Sequence, residues 1–120
     1  MFSPVFAELL GRSSFSFLRG ASHPEEMVGR AKELGLSALG LCDRDGLYGS
    51  VRALRTAREL EQRVIVGAEL SVGPHAKELE PPVLALLVES HVGYQNLCRL
   101  LSLAHEGREK GTSALELGWL

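Results

Sequence analysis

Four short segments hold most of the residues able to do chemistry: Leu10-Gly11-Arg12-Ser13-Ser14-Phe15-Ser16, Cys42-Asp43-Arg44-Asp45-Gly46, Gly67-Ala68-Glu69 and Glu89-Ser90-His91. Brought onto one rim, Asp43, Asp45, Glu69, Arg12 and Arg44 would make an ionic site. Glu69 closes an apolar run, where a buried carboxylate needs a partner; a structural ion pair and a functional role both satisfy that need. Asp45-Gly46 ahead of a helical pattern reads as a turn and N-cap. The four histidines, His23, His75, His91 and His105, are scattered and form neither H-x-H nor H-E-x-x-H, which argues against a histidine-built metal centre. No G-x-G-x-x-G or G-x-x-x-x-G-K follows a strand, so the usual dinucleotide and phosphate loops are missing. Ser13, Ser14 and Ser16 lack a G-x-S-x-G elbow, and no nucleophilic serine is indicated.

These segments must be positioned by the elements around them. The apolar runs Val5 to Leu10, Ala38 to Cys42, Val64 to Leu70 and Val83 to Val88 are continuous rather than alternating, as in strands buried on both faces. Between them lie amphipathic patterns. Ser22 suits an N-cap, with Glu25 three residues on and Pro24 in the first turn; Met27, Ala31 and Leu34 follow at helical spacing, and Gly35 is placed to end the helix. A second helix spans Leu47 to Leu60, with Leu47, Val51 and Leu54 on one face and Arg52, Arg55 and Arg58 on another, a solvated stripe. A third starts near Gly93, buries Leu97, Leu101 and Ala104, and frays by Gly107. The stretches 73–82 and 108–112 read as loops.

The order is α/β, with parallel strands joined by right-handed crossovers. An eight-unit barrel takes about 250 residues, roughly 31 per unit. Four strands in 120 residues therefore match half such a barrel or a small open sheet. In either, the ligand side is the C-terminal end of the strands, where the four segments above are expected.

Composition narrows the classes. The chain carries 13 basic and 15 acidic residues, a formal net charge of −2, which removes any bulk-charge argument for indiscriminate nucleic-acid binding. No apolar run approaches the roughly 18 residues of a membrane-spanning helix. The N-terminus lacks the pattern of a signal peptide. Cys42 and Cys98 stand apart and read as small core residues, consistent with a cytoplasmic protein with reduced thiols.

A family resemblance then emerges. Phe6-Ala7-Glu8-Leu9 and Phe15 to Glu26 (FSFLRGASHPEE) resemble the start of a PHP (polymerase and histidinol phosphatase) domain. Asp43-Arg44-Asp45-Gly46-Leu47-Tyr48-Gly49 resembles its T-D-H-x-G-L-x-G segment. Val64-Ile65-Val66-Gly67-Ala68-Glu69 is similar to its P-I-I-G-A-E strand, and Gly93 to Leu101 to its G-Y-x-N-L-x-x-L helix. The resemblance covers essentially the whole chain and is closest to the N-terminal domain of the bacterial C-family DNA polymerase III alpha subunit, on its error-prone branch. It implies parallel βα units forming the first half of a distorted TIM-like barrel, with residues 1–107 a partial PHP-like domain and 108–120 a C-terminal loop or tail.

The resemblance also implies a metal-dependent phosphoesterase site, and here the chain departs from the pattern. The two His positions of H-x-H are Leu10 and Arg12, the His of T-D-H is Arg44, and a further His position is Leu18. Glu69 is the one retained ligand position. The expectation is a catalytically degenerate module with no catalytic residue and no metal, whose rim consists of Leu10, Arg12, Leu18, Asp43, Arg44, Asp45 and Glu69. Arg12 or Arg44 should pair with Glu69 in place of a cation. The alternative is a residual phosphoesterase acting on phosphate esters or DNA ends, with Zn²⁺ or Mn²⁺ held by Glu69, Asp43, Asp45 and His91. The chain has no room for palm or fingers and is expected to stop near the middle of the barrel. Its partners would be a replication or repair protein, or a second copy meeting the exposed sheet edge and the apolar Leu115, Leu117, Trp119 and Leu120. DNA contact is left open.

Overall fold

A computed structural model describes residues 5–73, 81–109 and 112–120; His75 and most of the 73–82 stretch lie outside them. The elements are β1 (Ala7–Gly11), α1 (Pro24–Glu33), β2 (Ala38–Arg44), α2 (Ser50–Leu60), β3 (Val64–Ser71), β4 (Val83–Leu87) and α3 (His91–His105), closed by a 3₁₀ turn at Leu117–Trp119. The strands form one sheet in the order β1-β2-β3-β4.

β1, β2 and β3 run parallel, as α1 and α2 provide the crossovers. β4 is antiparallel to β3, with Gly67 opposite Leu87 and Ser71 opposite Val83. The all-parallel expectation fails at this strand for a physical reason. The link from Ser71 to Val83 is shorter than the dozen or more residues, usually with a helix, that a parallel crossover takes. The reversal carries Glu89-Ser90-His91 to the opposite end of the sheet from the C-termini of the parallel strands. His91 lies there with Arg63 and Val64, at the start of β3.

Burial separates the strands. β2 up to Asp43 and the second half of β3 are buried throughout, as continuous apolar runs predict, whereas β1 and β4 form the sheet's two margins and stay partly open. One core packs Val28 and Ala31 of α1 and Ala53 and Ala57 of α2 on Leu39 and Leu41 of β2. The other packs Leu97 and Leu101 of α3 with Leu115 on Ala68 and Leu70 of β3. Leu97, Leu101 and Ala104 are the buried residues of α3, as its periodicity predicts. In α2 the expected face is reversed: Ser50, Ala53 and Ala57 go inward, leaving Val51 and Leu54 exposed. Small residues let α2 lie close to α1 and the sheet, a geometry that the larger side chains would prevent.

The helix ends are locally determined. α1 starts one residue later than the Ser22 cap implies, because Pro24, with its preset φ, suits the first helical position. His23 is the N-cap, and its N–H donates to Glu26 Oε1 at 3.2 Å. Gly35, at φ +70°, ends the helix; its N–H reaches the Lys32 carbonyl and that of Leu36 the Ala31 carbonyl, the paired bonds of a Schellman cap. α2 begins at Ser50 with Gly49 as N-cap, so Asp45 is a turn residue and not the cap. In the segment expected as a tail, Ala114 and Leu115 are buried, and Leu115 bridges to Val72. Leu115 is thus core, while Leu117 and Leu120 remain exposed.

Candidate functional site

Parallel register builds the site. Arg44 on β2 stands beside Glu69 on β3. Strand alternation puts both on the face opposite Leu39 and Leu41, away from α1 and α2. Arg12, just past the end of β1, completes the group. Its Nε donates to Glu69 Oε1 at 3.0 Å, and its Nη2 reaches Oε1 at 2.8 Å and Oε2 at 3.0 Å. Arg44 Nη2 lies 3.7 Å from Glu69 Oε2. Glu69 is only 3% exposed. Taking a carboxylate that far out of water requires counter-charge and hydrogen bonds, and the two guanidinium groups supply both.

Arg44 is itself partly buried, its side chain 15% exposed. Its Nη1 donates to Ser71 Oγ across a long 3.4 Å, and its Nε has no acceptor among the described residues. Burial pushes the Arg44 pKa down, and the charge of Arg19 adds to that depression, while Glu69 and Asp45 oppose it.

The two aspartates flanking Arg44 are held by neutral donors. Asp43, 2% exposed, accepts from the Ser13 N–H at 2.7 Å, the Ser13 hydroxyl at 2.7 Å and the Ser16 hydroxyl at 2.6 Å. Ser16 Oγ in turn accepts from the Arg44 N–H at 3.0 Å. Asp43 thus stitches the loop after β1 onto the end of β2. Gly20 closes that loop, and a Cβ there would collide with the Ser13 carbonyl. Asp45, at φ +54°, accepts from the Ser71 N–H and hydroxyl, both at 2.7 Å. The Asp45 carbonyl accepts from His105 Nε2 at 2.7 Å, which ties the end of α3 to the rim.

Of the rim residues expected from sequence, Arg12, Arg44 and Glu69 come together, with Asp43 and Asp45 beside them in their own serine pockets. Leu10 and Leu18 do not join; Leu10 is half exposed, and Leu18 is fully exposed at φ +65°. Ser13, Ser16, Ser71 and His105 were not singled out as ligands of the aspartates. The two early serines carry a readable signal, small hydroxyls directly after a strand, but Ser71 and His105 become visible only through long-range packing. Cys42 is fully buried, as expected, whereas Cys98 is half-buried. Burial pushes the Cys42 thiol up to about 11, with the charges of Glu69 and Asp43 adding to the effect. Among the described residues, no three His, Cys, Asp or Glu side chains gather as a metal-binding group, and no helix is long and apolar enough to cross a membrane.

Comparison with known proteins agrees with this architecture. The chain is 55% identical over 105 residues to an error-prone DNA polymerase of Anaeromyxobacter sp. (strain K), covering 88% of this chain and 9% of that protein. It is 50% identical over 120 residues to an error-prone DNA polymerase of Mycolicibacterium paratuberculosis, covering 96% of this chain and 11% of that protein. The chain therefore spans about a tenth of the length of these curated relatives. Its fold matches a crystal structure from Bifidobacterium adolescentis, assigned as a metal-dependent phosphoesterase, with a TM-score of 0.63 at 16% identity, over 85% of this chain and 34% of that one. The sheet corresponds to part of that fold's TIM-like barrel. A family model for the PHP domain matches residues 9–119. On sequence and fold together, the chain belongs to the PHP domain family, on the side related to error-prone DNA polymerases.

Proposed function

We propose that this chain is a catalytically degenerate PHP module of the error-prone polymerase lineage, cytoplasmic, with a structural or protein-interaction role in DNA replication or repair. The observation that carries this reading is the double guanidinium clamp on Glu69. A carboxylate that ligates a divalent cation must offer its lone pairs to the ion. Here Arg12 takes both oxygens, and Arg44 stands against one of them. The residues at the remaining positions fit a metal poorly: Leu10 and Leu18 offer no donor atom, and two arginines bring positive charge where a cation would sit. Asp43 and Asp45 are committed to serine and backbone donors, and His91 lies at the other end of the sheet.

The interaction role falls to the sheet margins. β1 and β4 each pair on one side only among the described residues. Leu9 and Leu10 on one margin, and Leu87, Trp119 and Leu120 on the other, are exposed. A replication or repair protein, or a second copy of the chain, would cover them; molar mass in solution separates these occupants.

The enzymatic alternative is tested by phosphoester hydrolysis in the presence of Zn²⁺ or Mn²⁺. The expected result is no metal-dependent turnover. Turnover that Glu69→Gln abolishes would establish the phosphoesterase instead.

A further inference from the structure

We propose that the outward face of α2 docks an acidic amphipathic segment of a partner protein. Val51, Leu54, Arg55 and Arg58 recur at i, i+3, i+4 and i+7, so they share one face of the helix. All four are exposed, Val51 to 68% and Leu54 to 40%. Packing on α1 and the sheet takes Ser50, Ala53 and Ala57 inward and leaves this face uncovered among the described residues. Tyr48, just ahead of the helix, is exposed as well, with its ring beside that of Phe15. Tyrosine and arginine around an apolar centre is the composition of surfaces that bind proteins tightly.

Charge decides the kind of partner. Arg52 is engaged: it pairs with Glu25 of α1 and lies over the Phe15 ring at 5.8 Å. The guanidinium groups of Arg55 and Arg58 form no ion pair or hydrogen bond among the described residues. Glu59 and Glu61, both exposed, follow them at the C-terminal end of the helix. Bulk charge therefore does not drive the contact; the layout does. The two free arginines stand with the apolar pair, and the glutamates lie beyond. A partner segment would set apolar side chains on Val51 and Leu54 and carboxylates on Arg55 and Arg58. Carboxylates placed further along would meet Glu59 and Glu61 and be repelled, which fixes the direction of the segment. Nucleic acid fits this face less well, because a phosphate backbone makes no use of Val51 and Leu54 and would also meet the glutamates. The face is separate from the sheet margins and from the Glu69 clamp.

The test titrates the isotopically labelled 120-residue chain with a short amphipathic peptide of leucine and glutamate, read by NMR amide shifts. Its controls are the same peptide with lysine in place of glutamate, and polyglutamate without leucine. The acidic amphipathic peptide should bind most tightly and shift the amides of residues 48–58, and its affinity should fall as salt rises. Arg55→Glu with Arg58→Glu should weaken it by about tenfold and remove most of the salt dependence. Val51→Ser with Leu54→Ser should weaken it by about tenfold and leave the salt dependence in place. Because these side chains are on the surface, circular dichroism should show the same fold in both variants. Equal binding of the lysine peptide or of polyglutamate, shifts confined to other residues, or an affinity that either variant leaves intact would overturn the proposal. So would a short DNA strand that shifts the same amides at lower concentration. Shifts of these amides on concentrating the chain alone would overturn it too, by making the face a contact between copies. Metal titration reports on Glu69 separately and leaves this outcome untouched.

Discussion

Glu69 and Asp43 sit on neighbouring strands, are equally buried, and are neutralised in different ways. Glu69 is held by two cationic side chains from β2 and the loop after β1. Asp43 is held by neutral donors, two serine hydroxyls and a backbone N–H, all from that same loop. Both solutions avoid an unpaired buried charge, but they do different work. The Asp43 arrangement sets the path of the backbone and would be needed in any chain with this loop. The Glu69 arrangement brings two guanidinium groups to the rim, from Arg12 and Arg44, two of the four positions where the family resemblance implies a histidine.

Removing Asp43 should cost the most. Asp43→Ala strands two buried hydroxyls and an N–H, a loss of about 3–5 kcal/mol by chemical denaturation. A loss under about 1 kcal/mol would show that the loop is held by other contacts.

Breaking the Glu69 clamp comes next. Arg12→Met leaves the buried carboxylate facing only Arg44. With Arg12 partly exposed, the loss should be about 2 kcal/mol. Adding Glu69→Gln to Arg12→Met should recover part of it, since the stranded charge is then gone. If the two losses simply add, the pair is not coupled and the contrast with Asp43 collapses.

Cys42 senses both sites. Its thiol is raised from 9.0 to about 11, by burial first and then by the charges of Glu69 and Asp43. The folded pKa lies above the unfolded one, so the contribution is fully present below about pH 9 and is lost as pH rises toward 11. Tm should therefore decline across that window, and Cys42→Ala should flatten the slope. Below it, Cys98 should react with a thiol reagent in the folded protein while Cys42 stays inert.

The smallest effect concerns the turn that Asp43 anchors. Leu18 is fully exposed at φ +65°, a conformation that costs a non-glycine residue about 1–2 kcal/mol. Leu18→Gly should stabilise the chain by about 0.5–1 kcal/mol. Destabilisation would mean that Leu18 has a packing role.

What the sequence made legible follows from how local each signal is. The continuous runs at Ala38 to Cys42 and Val64 to Leu70 mark β2 and β3 because burial on both faces leaves that imprint. Leu97, Leu101 and Ala104 mark the inner face of α3 because the 3.6-residue period is a property of one helix. The clamp on Glu69 was legible because a carboxylate ending a buried strand needs a cation, and two arginines stood at positions on the same rim. The reversal of β4 was hidden because four strands and three helices look alternating until the shortness of the link between Ser71 and Val83 is noticed. The inward face of α2 was misread because close helix packing chose Ala53 and Ala57 over Val51 and Leu54. The links of Asp45 to Ser71 and His105 depend on strands and helices far apart in sequence, and no local pattern announces them.

The central claim is that arginines, and not a metal, neutralise Glu69. Calorimetric titration of the chain with Zn²⁺ and with Mn²⁺ tests it most directly. The account predicts no saturable heat that depends on Glu69, and identical traces for wild type and Glu69→Gln. A stoichiometric binding isotherm that Glu69→Gln abolishes would contradict it.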